Sequence, residues 1–295
     1  MFRRFLRSTF DRIFMRSECR LAGKLTLQAK TSPETKIAQR RLYHYYRNLA
    51  ATGSVPALPE TGFRCFSQFE EDGKLLFIFA VLGIPSGTFV DIGASDGINS
   101  NCANLALNFG WPGVFIEGNP DKVQRGKEFY RLHPDSWAYP PTFVNALVKR
   151  ENINEILKMA AVPMDVDLMS IDIDGNDYWV WDAIECIVPK VVIIETHVEF
   201  GNKSIVVPYD ASYMYPGKHP DYHGASPAAM VKLANKKGYR LIGSNDYGFN
   251  TIYVRRGLEE ALLPEVPVET VLTHPRNAER AALFTPIKDW EYIDV

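Results

Sequence analysis

The chain has 295 residues, of which 46% are hydrophobic and 12% aromatic, so it can bury a sizeable core and is not disordered as a whole. The net charge of −2 conceals an asymmetry, because residues 1–50 carry 12 basic and 3 acidic side chains while the remainder carries 21 and 32. No apolar run is long enough to span a bilayer, and the N-terminus lacks the apolar segment of a secretory signal, which predicts a cytoplasmic protein.

Residues 1–20 predict a basic amphipathic helix, with apolar side chains on one side and arginines on much of the rest. Such a helix packs on its own domain or on a partner, and the alternative is peripheral contact with the inner membrane surface. A second helix is predicted over residues 31–50, and residues 51–62 read as a Pro/Gly-rich linker. The four cysteines are scattered without a CxxC pair, so we expect reduced, mostly buried thiols.

A capping box of Ser67 and Glu70 predicts the start of a helix that runs to about Leu82. Strands and helices then alternate, and the strands are almost continuously apolar, which indicates a parallel sheet covered on both faces. Strands are predicted at residues 87–93, 113–120, 142–148, 167–174 and 190–198, and helices at 99–110, 121–133, 153–160, 178–187 and 227–239. Residues 240–245 and 250–256 predict a hairpin.

The stretch FVDIGASDGINSN resembles a nucleotide-binding strand–loop–helix. Asp91 ends the first strand, Gly93 permits a tight turn, and Gly97 would let the backbone approach a ligand. The stretch matches neither the G-x-G-x-x-G fingerprint nor a P-loop. A glycine-poor loop preceded by an acid suits a ligand with a cationic amine and no pyrophosphate, and S-adenosylmethionine (SAM) has both properties.

Polar residues follow the next two strands as well. Glu117 ends the second strand, where an acid can accept hydrogen bonds from both ribose hydroxyls, although a surface acid is the simpler interpretation of the residue alone. Asn145 lies near the end of the third strand and could contact an adenine edge. Because the carboxyl ends of parallel strands line one crevice, the position of Glu117 after the glycine loop favours ribose binding.

The fourth and fifth strands end in acids and a histidine. In LMSIDIDGNDYWVW, Asp172 would face the crevice, Asp174 would lie in the loop, and Asp177 would start a helix. Glu195 and His197 are expected on one face at the end of the fifth strand. The oxygens of Asp172, Asp174 and Glu195, together with the His197 imidazole, could hold Mg²⁺ or Mn²⁺. Asp172, Glu195 and His197 could instead accept a proton from a hydroxyl substrate.

In their order these motifs resemble the FkbM-type branch of class I SAM-dependent methyltransferases, over residues 64–256. The resemblance implies a Rossmann-like α/β sandwich whose mostly parallel seven-stranded sheet has an antiparallel C-terminal strand. It implies that Asp91, Gly93, Ala94 and Gly97 shape the methionine pocket, with Glu117, Asn119 and Asn145 along the rest of the cofactor and Asp172 beside the transferred methyl group. The sequence has IDIDGND where the family has IDVEG, which leaves metal use open.

We therefore expect a helical extension and linker over residues 1–62, a methyltransferase domain over 63–256, and a tail over 257–295 that packs on it. The expected reaction is O-methylation of a glycan or small metabolite, with the Tyr/His-rich insert between Phe200 and His223 as a substrate wall. The alternatives are a glycosyltransferase-like enzyme that uses Asp172 and Asp174, and a non-catalytic binding protein. An acidic body without a recognisable module argues against nucleic acid as a partner.

Overall fold

The structure is a computed structural model that describes residues 26–295, so the predicted basic helix lies outside the described residues. The chain divides into one unit at residues 1–42 and a larger one at residues 43–295. The first long helix, α1, spans Pro33–Ala51, as its sequence predicts. Within the described part, no helix is both long enough and apolar enough to cross a bilayer.

The larger unit alternates strands and helices from Glu71 onward. The further helices are α2 Glu71–Val81, α3 Pro120–Leu132, α4 Ile153–Met159, α5 Asp177–Ala183, α6 Pro227–Lys236 and α7 Asn277–Arg280. The strands are β1 Phe89–Ile92, β2 Gly113–Glu117, β3 Thr142–Asn145, β4 Leu168–Ile171, β5 Val191–Glu195, β6 Ile205–Val206, β7 Tyr239–Ser244, β8 Asn250–Arg255 and β9 Ile293–Asp294.

Seven strands form one sheet in the order β3-β2-β1-β4-β5-β8-β7. Strands β1 to β5 pair in parallel, whereas β8 pairs antiparallel with both β5 and β7. This confirms the predicted sheet, including the C-terminal hairpin and its antiparallel last strand. The chain moves outward from β1 to β3 and then returns to place β4 beside β1, so a topological switch point lies between β1 and β4.

Both faces of the sheet are buried, which explains the continuous apolar runs of its strands. On one face, Val90, Ile92 and Ile171 join a core cluster with residues of α4, α5 and α6, including Trp181. On the other face, the Phe89 and Phe115 rings pack 5.0 Å apart. A core on both sides fixes the strand register, so the strand ends lie at a defined edge.

Two predicted helices differ from the structure. The capping box is wrong, because α2 begins at Glu71 and its N-cap, Glu70, makes no side-chain cap bond. Ser67 lies in the preceding turn, where its amide and those of Cys65 and Phe66 donate to the Asp72 carboxylate. The helix predicted over 99–110 is a turn followed by a π-helix at Leu105–Phe109, which ends at Gly110 as predicted.

The tail contributes both to a second sheet and to a small core. Strand β9 pairs antiparallel with β6, and the Ile287 side chain is buried against Phe200 and Ile205. The linker lies inside the unit that begins at Tyr43, and the predicted limits at residues 62 and 256 stay predictions. In the described part of the chain the cysteines are free thiols, and Cys65 and Cys102 are buried as expected.

Candidate cofactor and catalytic site

A cavity of about 920 Å³ lies at the carboxyl ends of β1, β2 and β4, which is where ligands bind in open α/β sheets. We call it the cofactor cavity, and its wall includes Asp91, Gly93, Ala94, Ser95, Glu117, Asn119, Asp172, Asp174, Tyr213, Met214 and Tyr215. A second cavity, of about 860 Å³, lies between the linker, β7 and the tail. Its wall includes Lys74, whose buried ammonium is already paired with Glu70 and Asp246.

The turn after β1 depends on a glycine. Gly93 has a φ of 88°, and a Cβ atom there would lie 1.7 Å from the Asp172 carbonyl oxygen. The Gly93 and Ala94 amides both donate to the Ile116 carbonyl, at 2.9 and 3.1 Å. Because Gly93 has no side chain, the ends of β1, β2 and β4 can approach closely. This agrees with the tight turn that the sequence predicts at Gly93.

Gly97 has a different position from the predicted one. It does not line the cofactor cavity, and a Cβ atom there would meet the Phe115 and Phe143 rings at 3.1–3.2 Å. Its carbonyl accepts a 2.6 Å hydrogen bond from the buried Tyr130 hydroxyl. Gly97 therefore packs the loop against the aromatic core, and its approach to a ligand stays a prediction.

Asp91 points into the cavity from β1 and is almost completely buried. Burial raises the pKa of its carboxyl to about 6, and hydrogen bonds from Ser100 and Ser170 counter that rise. The Ser100 hydroxyl donates to Asp91 Oδ2 at 2.5 Å. A buried carboxyl with a raised pKa ionises readily when a cationic group binds beside it.

Glu117 lies at the end of β2 and is half-buried at the cavity wall. Its two carboxylate oxygens accept from the backbone amides of Ser95, at 2.9 Å, and Asn119, at 2.7 Å. The Asn119 side chain caps α3 by accepting from the amides of Asp121 and Lys122. These bonds fix the Glu117 carboxylate beside the glycine loop at the cavity wall.

Asn145 does not reach the cavity wall. Its amide group donates to the carbonyls of Glu117 and Gly118, at 2.9 and 3.0 Å. The predicted contact with an adenine edge is therefore not what the structure shows, because the side chain ties β3 to the end of β2.

The three acids after β4 differ in their surroundings. Asp172 is half-buried at the cavity wall, and its pKa is raised well above the ordinary range by burial and by the neighbouring carboxylates of Asp177 and Asp174. Asp174 is exposed and has a φ of 54°. Asp177 is buried, and its oxygens accept from the amides of Ile173, at 2.9 Å, and Gly175, at 3.0 Å. Asp177 therefore starts α5, as predicted, and also holds the loop that carries Asp172.

Strand β5 ends at Glu195. The prediction that His197 also belongs to this strand is therefore wrong. This residue precedes a short 3₁₀ helix at Val198–Phe200. The loop nevertheless places the His197 imidazole near the Glu195 carboxylate, with Nε2 3.9 Å from Oε2. Burial lowers the pKa of His197 well below its ordinary value, so the ring is neutral.

A second histidine, which the sequence did not indicate, completes this group. The His223 ring centroid lies 4.1 Å from that of His197, with the ring planes 77° apart. One ligand atom from each of Glu195, His197 and His223 lies within 4.8 Å of the others, and we call these three residues the β5 cluster. Asp172, Asp174 and Glu195 also approach one another within 4.8 Å, as their positions at neighbouring strand ends predicted.

The Tyr/His-rich insert covers one side of the cavity. The Tyr213 ring is held between Gly175 and Gly217, where a Cβ atom would lie 2.4 and 2.5 Å from it. Met214 and Tyr215 line the cavity and are 65% and 54% exposed. The only sequence signal for His223 and Tyr213 was the unusual composition of the insert.

The chain matches no protein-family model, and no curated protein matches it. Solved structures do match. Magnesium protoporphyrin IX methyltransferase from Synechocystis PCC 6803, with bound SAM, is 12% identical over 63% of this chain and 77% of that one, with a TM-score of 0.40. An O-methyltransferase family protein from Burkholderia thailandensis is 9% identical over 76% of this chain and 60% of that one, with a TM-score of 0.37. A SAM-dependent methyltransferase from Aquifex aeolicus is 11% identical over 57% and 81%, with a TM-score of 0.33.

Proposed function

We propose that the protein is a SAM-dependent methyltransferase of the FkbM type that methylates a hydroxyl group of a glycan or small metabolite. The observation that carries the proposal is that two acids, Asp91 from β1 and Glu117 from β2, face one cavity on opposite sides of the glycine turn at Gly93. This pair of acids matches the two polar ends of SAM, its cationic amine and its ribose hydroxyls.

The cavity fits that cofactor in size and in chemistry. Ligand pockets for molecules of this size measure about 300–1,000 Å³, and this one measures about 920 Å³. Asp91 would accept from the amine, Glu117 from the ribose hydroxyls, and the backbone at Gly93, Ala94 and Ser95 forms the turn between them. A side chain at Gly93 would fill the space between β1 and β4, so the turn is shaped for close approach.

When bound, SAM supplies an electrophilic methyl group, which an attacking hydroxyl oxygen takes as the carbon–sulfur bond breaks. The protein mainly provides proximity and orientation, which can lower a barrier by about 7–11 kcal/mol. We assign the hydroxyl proton to Asp172, because this carboxyl borders the cavity at the end of β4, where the acceptor hydroxyl would lie. Glu195 and His197 lie behind Asp172 and belong to the same polar group.

The acceptor would lie under the aromatic insert. Tyr213, Met214 and Tyr215 contribute apolar surface to the same cavity that Asp172 borders. A wall that combines aromatic faces with carboxylates suits a molecule that has both apolar faces and hydroxyl groups. This supports a sugar or a small hydroxylated metabolite as the acceptor.

Isothermal calorimetry tests the proposal. We expect SAM to bind wild-type protein with one site per chain, and Glu117→Gln to weaken that binding by about 10- to 100-fold, because a hydrogen bond to a charged group is worth about 1.5–3 kcal/mol. Glu128→Gln, an exposed acid of α3, is the matched control and should bind as wild type does. Heat from a sugar nucleotide and none from SAM would instead support a glycosyltransferase-like enzyme.

A further inference from the structure

Three buried polar atoms of the β5 cluster lack a partner. Glu195 Oε2, His197 Nε2 and His223 Nδ1 make no hydrogen bond to any residue of the described chain. The two histidines are only 8% and 6% exposed. An unpaired buried polar group destabilises a protein, so three such atoms in one place indicate a site for a ligand. We propose that Glu195, His197 and His223 bind a divalent transition-metal ion at the edge of the cofactor cavity.

The geometry of the β5 cluster fits an ion of that size. Its ligand atoms lie within 4.8 Å of one another, and His197 Nε2 lies 3.9 Å from Glu195 Oε2. Ligands bound at about 2.0–2.1 Å to a tetrahedral ion lie about 3.3 Å apart, so side-chain rotations would suffice to close the site. Three protein ligands also leave a fourth coordination position free for a water molecule or a substrate atom.

The surroundings of His197 orient its ring towards Glu195. His197 Nδ1 lies 3.8 Å from Glu199 Oε2, and Arg280 Nε donates to Glu199 Oε1 at 2.6 Å. A metal-bound histidine commonly directs its other ring nitrogen to a carboxylate, which fixes the tautomer and the ring orientation. On the opposite side, a Cβ atom at Gly224 would lie 2.3 Å from His197 Cδ2, so the ring packs directly on the backbone.

The donor set determines the class of metal. Two imidazoles and one carboxylate suit Zn²⁺, Fe²⁺, Co²⁺ or Mn²⁺, whereas Mg²⁺ prefers oxygen ligands and retained water. The oxygen ligands predicted from the sequence, Asp172, Asp174 and Glu195 (the oxygen set), share only Glu195 with this site, while the imidazole predicted beside them, His197, belongs to it as well. Asp174 is exposed and can stay hydrated, so it does not share the need for a ligand that the buried histidines have.

An ion at the β5 cluster would lie beside Asp172, since Glu195 approaches both groups. Its role in methyl transfer rests on the proposed function: a bound cation would lower the pKa of a coordinated substrate hydroxyl, and Asp172 would accept the proton. The metal site itself does not depend on SAM, because none of its three ligands lines the cofactor cavity.

Titration of the chelator-stripped full-length protein with Co²⁺ and Zn²⁺ tests the site. We expect one equivalent per chain, with a visible Co²⁺ spectrum that Zn²⁺ displaces. His223→Ala should weaken binding at least 100-fold, and Glu199→Gln, a positioning variant, by about 10- to 100-fold. His44→Ala, a histidine on exposed α1 surface, and Asp174→Asn should bind as wild type does.

Saturable binding that is equal in wild type and His223→Ala would overturn the proposal, as would the absence of binding to a folded wild-type protein. Weaker binding in Asp174→Asn than in His223→Ala would place the ion on the oxygen set and also overturn it. Circular dichroism checks that each variant folds. SAM calorimetry on metal-free wild type separates the two proposals: metal binding without SAM binding would sink the proposed function and leave the metal site.

Discussion

The two halves of the candidate site differ in how their polar groups are satisfied. At the ends of β1 and β2, Asp91 bonds Ser100, and Glu117 accepts from two backbone amides. At the end of β5, Glu195 Oε2 and a nitrogen of each histidine have no partner within residues 26–295. The polar groups of the first region are satisfied by the chain itself, whereas the second region keeps unpaired polar atoms, where we propose that a metal ion binds.

Because of this difference, removing a hydrogen-bonded carboxylate and removing an unpartnered carboxylate should change the stability of the protein differently. Removing a satisfied carboxylate leaves its donors unpaired, which costs stability. Removing an unpartnered one relieves a cost and should not harm the ligand-free protein. Mutations in the first region should therefore lower the free energy of unfolding, whereas mutations in the second region should leave it unchanged or raise it.

The largest effect is expected at Gly93 in the first region. Gly93→Ala would place a Cβ atom 1.7 Å from the Asp172 carbonyl oxygen at a φ of 88°, so we expect a loss of about 3 kcal/mol or more. Gly110→Ala is the matched control, since its φ is 72° but no atom lies within 4 Å. It should cost only about 1–2 kcal/mol. Urea unfolding measures both, and equal losses would contradict the close approach of β1 to β4.

Asp177, which lies between the two regions, has a carboxylate that accepts hydrogen bonds from two backbone amides. Asp177→Ala would leave the amides of Ile173 and Gly175 unpaired, so we expect a loss of about 2 kcal/mol. Asp177→Asn keeps one acceptor oxygen and should lose less. Urea unfolding at neutral pH measures these changes, and a neutral Asp177→Ala variant would mean that the loop does not depend on the carboxylate.

The pKa of Asp91 predicts how SAM affinity depends on pH. Because that pKa is about 6 in the ligand-free protein and a bound amine favours the carboxylate, binding releases a proton and tightens as the pH rises. We expect about tenfold tighter binding at pH 7 than at pH 5, by calorimetry, and no such trend in Asp91→Asn. The stability of the ligand-free protein should depend on pH in the opposite direction. The raised pKa of Asp91 stabilises the folded protein at low pH, and this contribution is lost as the pH rises through about 6.

The smallest effect is expected in the second region. Glu195→Gln in metal-free protein should change the free energy of unfolding by less than about 0.5 kcal/mol or raise it, because Glu195 Oε2 has no hydrogen-bond partner in the described structure. Thermal unfolding after chelator treatment measures this. A loss comparable to that of Asp177→Ala would mean that the Glu195 carboxylate is satisfied after all and would remove the contrast between the two regions.

The sequence by itself determined the sheet and most of the strand-end acids. Short, almost continuously apolar strands that alternate with helices predict a parallel sheet, because both signals can be recognised within a few residues of the chain. Asp91, Glu117 and Asp172 follow directly from that pattern, since each stands at the end of its strand. Gly93 was also predictable, because a turn that follows a buried strand within one residue favours a positive φ.

Only the tertiary structure decided which of the neighbouring residues line the cavity. Gly97 and Asn145 have suitable types and positions in the sequence, yet Gly97 packs on Phe115 and Asn145 bonds the end of β2, so neither belongs to the cavity wall. His223 lies close to Glu195 in space although it follows it by 28 residues in the sequence, and the insert between them has no regular pattern. A local period carries no information about such a contact, because it depends on how the insert folds back over β5.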